Sequence, residues 1–162
     1  MVLSTFFIAG AALAQTQSIT LLPDSLVAYA GETIAVNAQY DVIDGNKKTT
    51  GIGIRIHFNS KFIDNVALAD VYGEGMVGQH YSPKADVKDL DGDSTTDQYI
   101  IVAWAGITGD WPVFLSMPGK LATINVQLKK DAPNAETTIN VTTSATAAGY
   151  DFVSKSMKIL VQ

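Results

Sequence analysis

The chain has 162 residues, of which 47% are hydrophobic and 17% charged, the composition of a globular domain with a single core. Its net charge of −5, without a basic stripe to displace counterions from phosphates, excludes a nucleic-acid-binding protein. It has no cysteine, which excludes disulfides, thiol catalysis and thiolate metal sites, so any metal must be bound by oxygen or imidazole.

The chain opens with an uncharged apolar run over residues 2–14, "VLSTFFIAGAALA", which ends in small residues. It is too short for a membrane span of about 20 residues. One interpretation is a cleaved secretory signal peptide. The other is a retained segment that adds as a strand to the sheet of a neighbouring subunit, where Phe6, Phe7 and Ile8 fill pockets.

Alternation of apolar and polar residues at every second position dominates the rest of the chain. The segments "TIAVNAQYDV", "GIGIRIHF", "LATINVQL", "TTINVTT" and "MKILVQ" all follow it. In the second of them, Arg55 and His57 are expected to face solvent. One apolar and one polar face per strand is typical of antiparallel sheets packed face to face, so we predict an all-β sandwich. The residues expected in its core are Ile52, Ile54, Ile56, Phe58, Ile124, Val126 and Leu128.

Two segments depart from this alternation. Residues 98–105, "QYIIVAWA", are apolar on both faces, which predicts a central strand covered on both sides. Residues 60–71, "SKFIDNVALADV", have apolar spacing that favours one or two helical turns.

Five aspartates lie within residues 86–97, directly before the apolar strand. Four of them, Asp89, Asp91, Asp93 and Asp97, form a DxDxDxxxD run whose alternate side chains can converge on one side of the backbone. Ca²⁺ takes about six to eight oxygen ligands at flexible distances, so the run predicts a calcium site closed by a ligand elsewhere. It is not an EF-hand loop, because its twelfth position is isoleucine rather than glutamate. The alternative is a solvated acidic turn without a cation.

The sequence offers little for catalysis. Its two histidines, His57 on a strand and His80 in a predicted loop, have no evident partner, and no GxSxG, HExxH or phosphate-binding motif is present. We therefore predict no catalytic residue. Trp111, in the loop "GITGDWPVFL", has two interpretations: it stacks on a sugar, or it packs against the edge of the sandwich.

Residues 18–162 resemble cohesin-type modules. The segments that carry the resemblance are "AGETIAVNAQY", "GIGIRIHFNSKFI" and "PGKLATINVQLK", together with "DLDGDSTTDQYIIVAWAG" and "GDWP", which are similar to cohesin-like proteins of environmental bacteria. The resemblance implies a jelly-roll-like sandwich of about nine strands. It also implies an extracellular location and non-enzymatic protein binding, which in cellulosomes means binding to dockerins. The acidic loop is an insertion relative to the common cohesin pattern, so calcium is inferred from its chemistry alone.

These observations predict a leader of residues 1–14 followed by a single domain, residues 15–162. We expect a secreted or cell-surface calcium-binding sandwich that binds a protein partner or other copies of itself, in the second case as a filament subunit joined by donor strands. The alternative function is a carbohydrate-binding module that uses Trp111 and nearby tyrosines. We expect neither nucleic acid as a partner nor a stable transmembrane span.

Overall fold

The computed structural model describes residues 15–162, apart from the side chains of residues 80 and 81. The regular structure of this part of the chain is strand throughout, which confirms the all-β prediction. None of its segments is a helix long and apolar enough to cross a bilayer. The eleven strands are β1 (Gln15–Leu22), β2 (Ser25–Ala28), β3 (Thr33–Ile43), β4 (Gly51–Phe58), β5 (Ile63–Ala69), β6 (Met76–Ala85), β7 (Gln98–Ala105), β8 (Gly119–Leu128), β9 (Glu136–Ala145), β10 (Tyr150–Lys155) and β11 (Met157–Val161).

The strands form two sheets packed as a sandwich. One sheet has the order β10-β1-β3-β8-β5, and the other has the order β2-β11-β9-β4-β7-β6. Neighbouring strands are antiparallel except for two pairs, β1 with β10 and β2 with β11, which are parallel. The predicted sandwich is therefore confirmed, with eleven strands within residues 15–162 instead of about nine and with a parallel pair at one edge of each sheet.

The core lies between the two sheets, where period-two alternation places it. All of the core residues predicted from "GIGIRIHF" and "LATINVQL" are buried, with at most 2% of their surface exposed. Strand β3 adds Val36, Tyr40 and Val42 to the same core. A continuous apolar layer of this kind is what allows two amphipathic sheets to stabilise each other.

Strand β4 differs from the prediction on its second face. His57 was expected to face solvent, yet its exposure is 0%, and Arg55 is half-buried. The reason is that the acidic loop, residues 86–97, folds back over the outer face of β4. It is therefore β4, between β9 and β7, that is covered on both sides. Strand β7 buries only alternate residues, so its second face is only partly covered.

Of the one or two helical turns expected within residues 60–71, only one forms, at the start of the segment. A single turn is present, in which Phe62 and Ile63 donate their backbone N–H groups to the carbonyl of Asn59, and strand β5 follows. A bulge between Ile63 and Asn65 interrupts its pairing with β8. Because a bulge inserts one residue, Ile63 and Val66 both face the core. Two buried residues three positions apart are also typical of a helix, which explains the prediction.

Candidate functional site

The acidic loop connects β6 to β7 and is closed by backbone hydrogen bonds. Asp86 donates its N–H to the carbonyl of Asp97 at 2.8 Å, which joins the two ends of the loop. Asp97 in turn donates its N–H to the carbonyl of Phe58 at 3.1 Å, which fixes the loop to the end of β4. Within the loop, Asp89 and Gly92 have φ angles of 51° and 72°, which make the sharp turns. The loop therefore has a defined path across the sheet.

A buried cluster of one imidazole and two carboxylates lies beneath this loop. Nδ1 of His57 is 2.9 Å from Oδ2 of Asp86 and 3.8 Å from Oδ2 of Asp91. The side chains of His57 and Asp86 are 0% exposed, and that of Asp91 is 1% exposed. One ligand atom from each residue lies within 4.8 Å of the other two. Among the described residues, this is the one group of histidine and acidic side chains spaced to hold a metal ion.

The hydrogen bonds of His57 are unequal at its two ring nitrogens. Nε2 lies 2.8 Å from Oγ1 of Thr142, on the neighbouring strand β9. Nδ1 has no aligned hydrogen bond, because the Asp86 oxygen at 2.9 Å lies away from the direction of its N–H. Burial lowers the pKa of His57 below its ordinary value, and the charges of Asp91 and Asp86 oppose this shift without reversing it.

The two middle aspartates of the loop meet at Asn140 of β9. Its side-chain nitrogen donates to Oδ2 of Asp91 at 2.8 Å and to Oδ2 of Asp93 at 3.2 Å. Asp91 also accepts a hydrogen bond from the hydroxyl of Thr96, and Asp93 accepts one from Thr138. The side-chain oxygen of Asn140 is buried and has no hydrogen-bond partner.

The other two predicted ligands do not join this group. Both carboxylate oxygens of Asp97 accept hydrogen bonds from Ser60, one from its backbone N–H and one from its hydroxyl. Asp89 is exposed. Of the four predicted ligands, only Asp91 and Asp93 share a partner, Asn140. The aspartate closest to His57 is Asp86, which was not among the predicted ligands.

A groove of about 830 Å³ opens beside the acidic loop, between β9 and β10. Asp91, Asp93 and Asn140 form part of its wall, and Tyr150 and Phe152 of β10 line it too. The groove therefore combines carboxylates with aromatic surface at a place where the chain leaves one sheet for the other.

Thr142, His57 and Asp86 have the connectivity of a hydrolase triad, but their setting differs. Asp86 is not aligned with the imidazole N–H, so it does not orient the ring as a triad acid does. Thr142 lies within β9 and pairs with Arg55 of β4, so the backbone there is committed to the sheet rather than to an oxyanion hole. The arrangement fits a structural or metal-binding role better than acyl transfer.

Trp111 is not available to a ligand. It is 1% exposed, its ring centroid lies 5.2 Å from that of Tyr40 and 6.3 Å from that of Trp104, and its Nε1 donates to the carbonyl of Glu74 at 3.0 Å. Gly75 makes room for the ring, since a Cβ there would lie 2.7 Å from Trp111 Cδ1. The sugar-stacking interpretation of Trp111 is therefore wrong, and the packing interpretation holds.

Sequence reasoning missed the residues at the centre of this site and could not assess others. His57 was assigned to the surface, and Asp86, Asn140 and Thr142 were not considered as site residues. The available signals were the fifth aspartate of the loop and a histidine in the strand GIGIRIHF, where Arg55 is the one other polar side chain. The predicted contacts of Phe6, Phe7 and Ile8 lie outside the described residues. His80 lies in β6, not in a loop.

No protein-family model matches this chain, and no curated protein matches it. Solved structures do match. The third cohesin of ScaC from Acetivibrio cellulolyticus, solved in complex with the ScaB dockerin, has a TM-score of 0.57 at 16% identity, covering 90% of this chain and 99% of that chain. The seventh ScaB type I cohesin from Pseudobacteroides cellulosolvens has a TM-score of 0.55 at 8% identity, covering 91% and 92%.

A type I cohesin–dockerin complex from Clostridium thermocellum, Coh-OlpA-Doc918, gives a TM-score of 0.52 at 18% identity, covering 91% of this chain and 99% of that chain. The likeness extends over almost the whole of each module. This chain therefore has a cohesin-like fold, as the resemblance of its sequence segments predicted.

Proposed function

We propose that this domain is a non-catalytic protein–protein interaction module that works outside the cell. The observation that carries the proposal is the cohesin-like sandwich, which aligns over about nine-tenths of the chain with modules solved together with dockerins. A fold does not fix a partner, so the partner class is part of the proposal. The extracellular location is inferred from the same resemblance and from the apolar run of residues 2–14.

Two partners are consistent with this proposal. The first is a dockerin-type module, by analogy with the complexes named above. The second is another copy of the chain, joined through residues 2–14 as a donor strand. The second has support from the edge strand β2, where Val27 is 56% exposed beside Leu160 of β11, 43% exposed, and where unpaired backbone groups can accept a further strand.

Calcium binding by the acidic loop stays a prediction. The positions of Asp91 and Asp93 favour it, whereas those of Asp89 and Asp97 do not. Asp91 and Asp93 both accept a hydrogen bond from the side-chain nitrogen of Asn140. A cation could take the place of that nitrogen between the two carboxylates. The carboxylate of Asp97 is committed to Ser60, and Asp89 is exposed. We therefore propose that any calcium ion is bound through Asp91 and Asp93.

The carbohydrate-binding alternative loses the tryptophan that it invoked, since Trp111 is buried. Titration calorimetry of the full chain against purified dockerins and soluble polysaccharides separates the two functions. The proposal predicts saturable binding to a dockerin or self-association visible as heat of dilution. Heat from a polysaccharide alone would instead favour the carbohydrate-binding module.

A further inference from the structure

We propose that His57, Asp86 and Asp91 form a buried binding site for a divalent transition metal such as Zn²⁺. The proposal goes beyond the interaction function, because it assigns a metal, a nitrogen ligand and a carboxylate that the calcium prediction did not contain. Three features of the cluster support a metal: the spacing of its ligand atoms, a buried His57 nitrogen without an aligned hydrogen bond, and an excess of negative charge.

The ligand atoms have the spacing of a coordination shell. With bonds of about 2.0–2.2 Å, neighbouring ligands of a tetrahedral or octahedral metal lie about 3 to 3.5 Å apart. Nδ1 of His57 is 2.9 Å from Oδ2 of Asp86 and 3.8 Å from Oδ2 of Asp91, and the three atoms lie within 4.8 Å of one another. A small adjustment of buried side chains would bring all three within bonding distance of one ion.

Nδ1 of His57 is a buried nitrogen without an aligned hydrogen bond, and it lies beside two buried carboxylates. The opposite nitrogen, Nε2, lies 2.8 Å from the hydroxyl of Thr142. If Nε2 carries the proton and donates it to Thr142, Nδ1 presents a lone pair in the space beside the Asp86 and Asp91 carboxylates. This is the usual arrangement of a metal-bound histidine, in which an outer partner fixes the tautomer.

The cluster has more negative than positive charge. Asp86 and Asp91 are both almost fully buried, and no lysine or arginine of the described residues lies within ion-pair distance of either. Two carboxylates outweigh a single imidazole in either protonation state. Buried charges are normally paired or coordinated to a metal, so a divalent cation would balance the cluster.

The mixed ligand set indicates which metal would bind. Ca²⁺ prefers an all-oxygen shell, whereas imidazole with carboxylates suits Zn²⁺ and its neighbours in the first transition row. Asn140, whose buried side-chain oxygen has no partner and whose nitrogen contacts Asp91, is placed to complete the shell if its amide reverses. Thr96 and Thr142 would support the ligands from outside.

Binding there would fix the acidic loop to the sheet. Asp86 and Asp91 belong to the loop and His57 to β4, so one ion would join two elements that otherwise meet through hydrogen bonds. Because Asp91 also forms part of the groove wall, the metal would stabilise the shape of that groove. The proposed metal is therefore structural.

The test uses the full chain, stripped of metal with a chelator and then titrated with Zn²⁺ and, separately, with Ca²⁺. A ligand that binds the folded state alone raises the melting temperature by mass action. We expect a saturable rise with Zn²⁺, and at least a tenfold loss of Zn²⁺ affinity in His57→Gln and in Asp86→Asn. Asp89→Asn, which removes an exposed carboxylate from the same loop, is the matched control and should bind Zn²⁺ as the unaltered chain does.

Two further measurements keep the test decisive. Thr142→Val should weaken Zn²⁺ binding about 10- to 100-fold, as loss of an outer-shell partner does elsewhere. Co²⁺ added to the unaltered chain should give visible d–d absorption of a low-symmetry site with nitrogen and oxygen ligands, a readout that needs no variant to fold. The proposal is overturned if Zn²⁺ and Co²⁺ leave the melting temperature and the spectrum unchanged, or if Ca²⁺ alone stabilises and His57→Gln has no effect on it.

Discussion

Trp111 lies in the core with 1% of its surface exposed, packed between the rings of Tyr40 and Trp104. Truncation would leave a large cavity, so we expect Trp111→Ala to lower the free energy of unfolding by about 3–5 kcal/mol in urea denaturation. Phe114, in the same loop and 86% exposed, is the control. Phe114→Ala should change stability by less than about 0.5 kcal/mol. Equal effects of the two substitutions would contradict this packing.

Tyr40 contributes a pH-dependent term to stability. It is 0% exposed, its hydroxyl accepts a hydrogen bond from Nε2 of Gln17 at 2.8 Å, and burial raises its pKa above the ordinary value. A raised folded-state pKa means that this stabilisation is complete below about pH 10 and is lost as the pH rises through the folded-state pKa.

We therefore expect Tyr40→Phe to cost about 1 kcal/mol at neutral pH, through the lost hydrogen bond. The difference in unfolding free energy between the unaltered chain and this variant should shrink as urea denaturation is repeated from pH 8 to pH 11. Parallel curves over that range would show that the Tyr40 hydroxyl does not titrate as argued.

At the scale of elements, Asp97 joins the end of the acidic loop to the turn before β5. Its carboxylate accepts both the N–H and the hydroxyl of Ser60, while Asp89, in the same loop, is exposed. We expect Asp97→Asn to lower the free energy of unfolding by about 1 kcal/mol, because the new amide nitrogen would face a donor. Asp89→Asn should be neutral within about 0.5 kcal/mol, and thermal melts of both variants at low and high salt measure the difference. A neutral Asp97→Asn would mean that the contact with Ser60 is not formed in solution.

The edge formed by β2 and β11 is where self-assembly would take place if residues 2–14 act as a donor strand. Val27→Lys adds a charge to this edge, a substitution that protects natural edge strands from further pairing. We expect it to prevent assembly of the full chain in electron micrographs. Val153→Lys, on the edge strand β10 of the other sheet and 47% exposed at the valine, should leave assembly intact. The reverse pattern would move the docking edge to β10.

Strands with regular alternation of apolar and polar residues could be predicted from the sequence, whereas the bulged strand β5 could not. Strands β3, β4 and β8 follow period two, and their core faces were predicted correctly. In β5, a bulge placed Ile63 and Val66 on one face, and this spacing was taken for one or two helical turns. Short-range spacing does not distinguish a bulged strand from a helical turn.

The candidate site was less predictable, because it depends on contacts between distant segments. His57 is buried by a loop that begins about thirty residues later in the chain, and no local pattern contains that information. The aspartates were recognised as a cluster, but which of them face inward depends on the turns at Asp89 and Gly92. Alternation along an extended chain, the basis of the calcium prediction, does not hold in a loop that turns.

At the scale of the whole molecule, segment order was more informative than any single motif. Cohesin structures with only 8–18% identity align over about nine-tenths of this chain, so the fold is shared although few residues are identical. A shared fold does not specify the partner, because binding surfaces change faster than cores.

Sedimentation velocity of the full chain, alone over a wide concentration range and mixed with dockerin modules, tests the proposed interaction function most directly. The chain has a mass of 17.3 kDa, so either self-assembly or a dockerin complex would appear as a clearly heavier species. We predict such a species, saturable with dockerin or increasing with the concentration of the chain itself. A single 17.3 kDa boundary under every condition would contradict the assignment of this domain as a protein–protein interaction module.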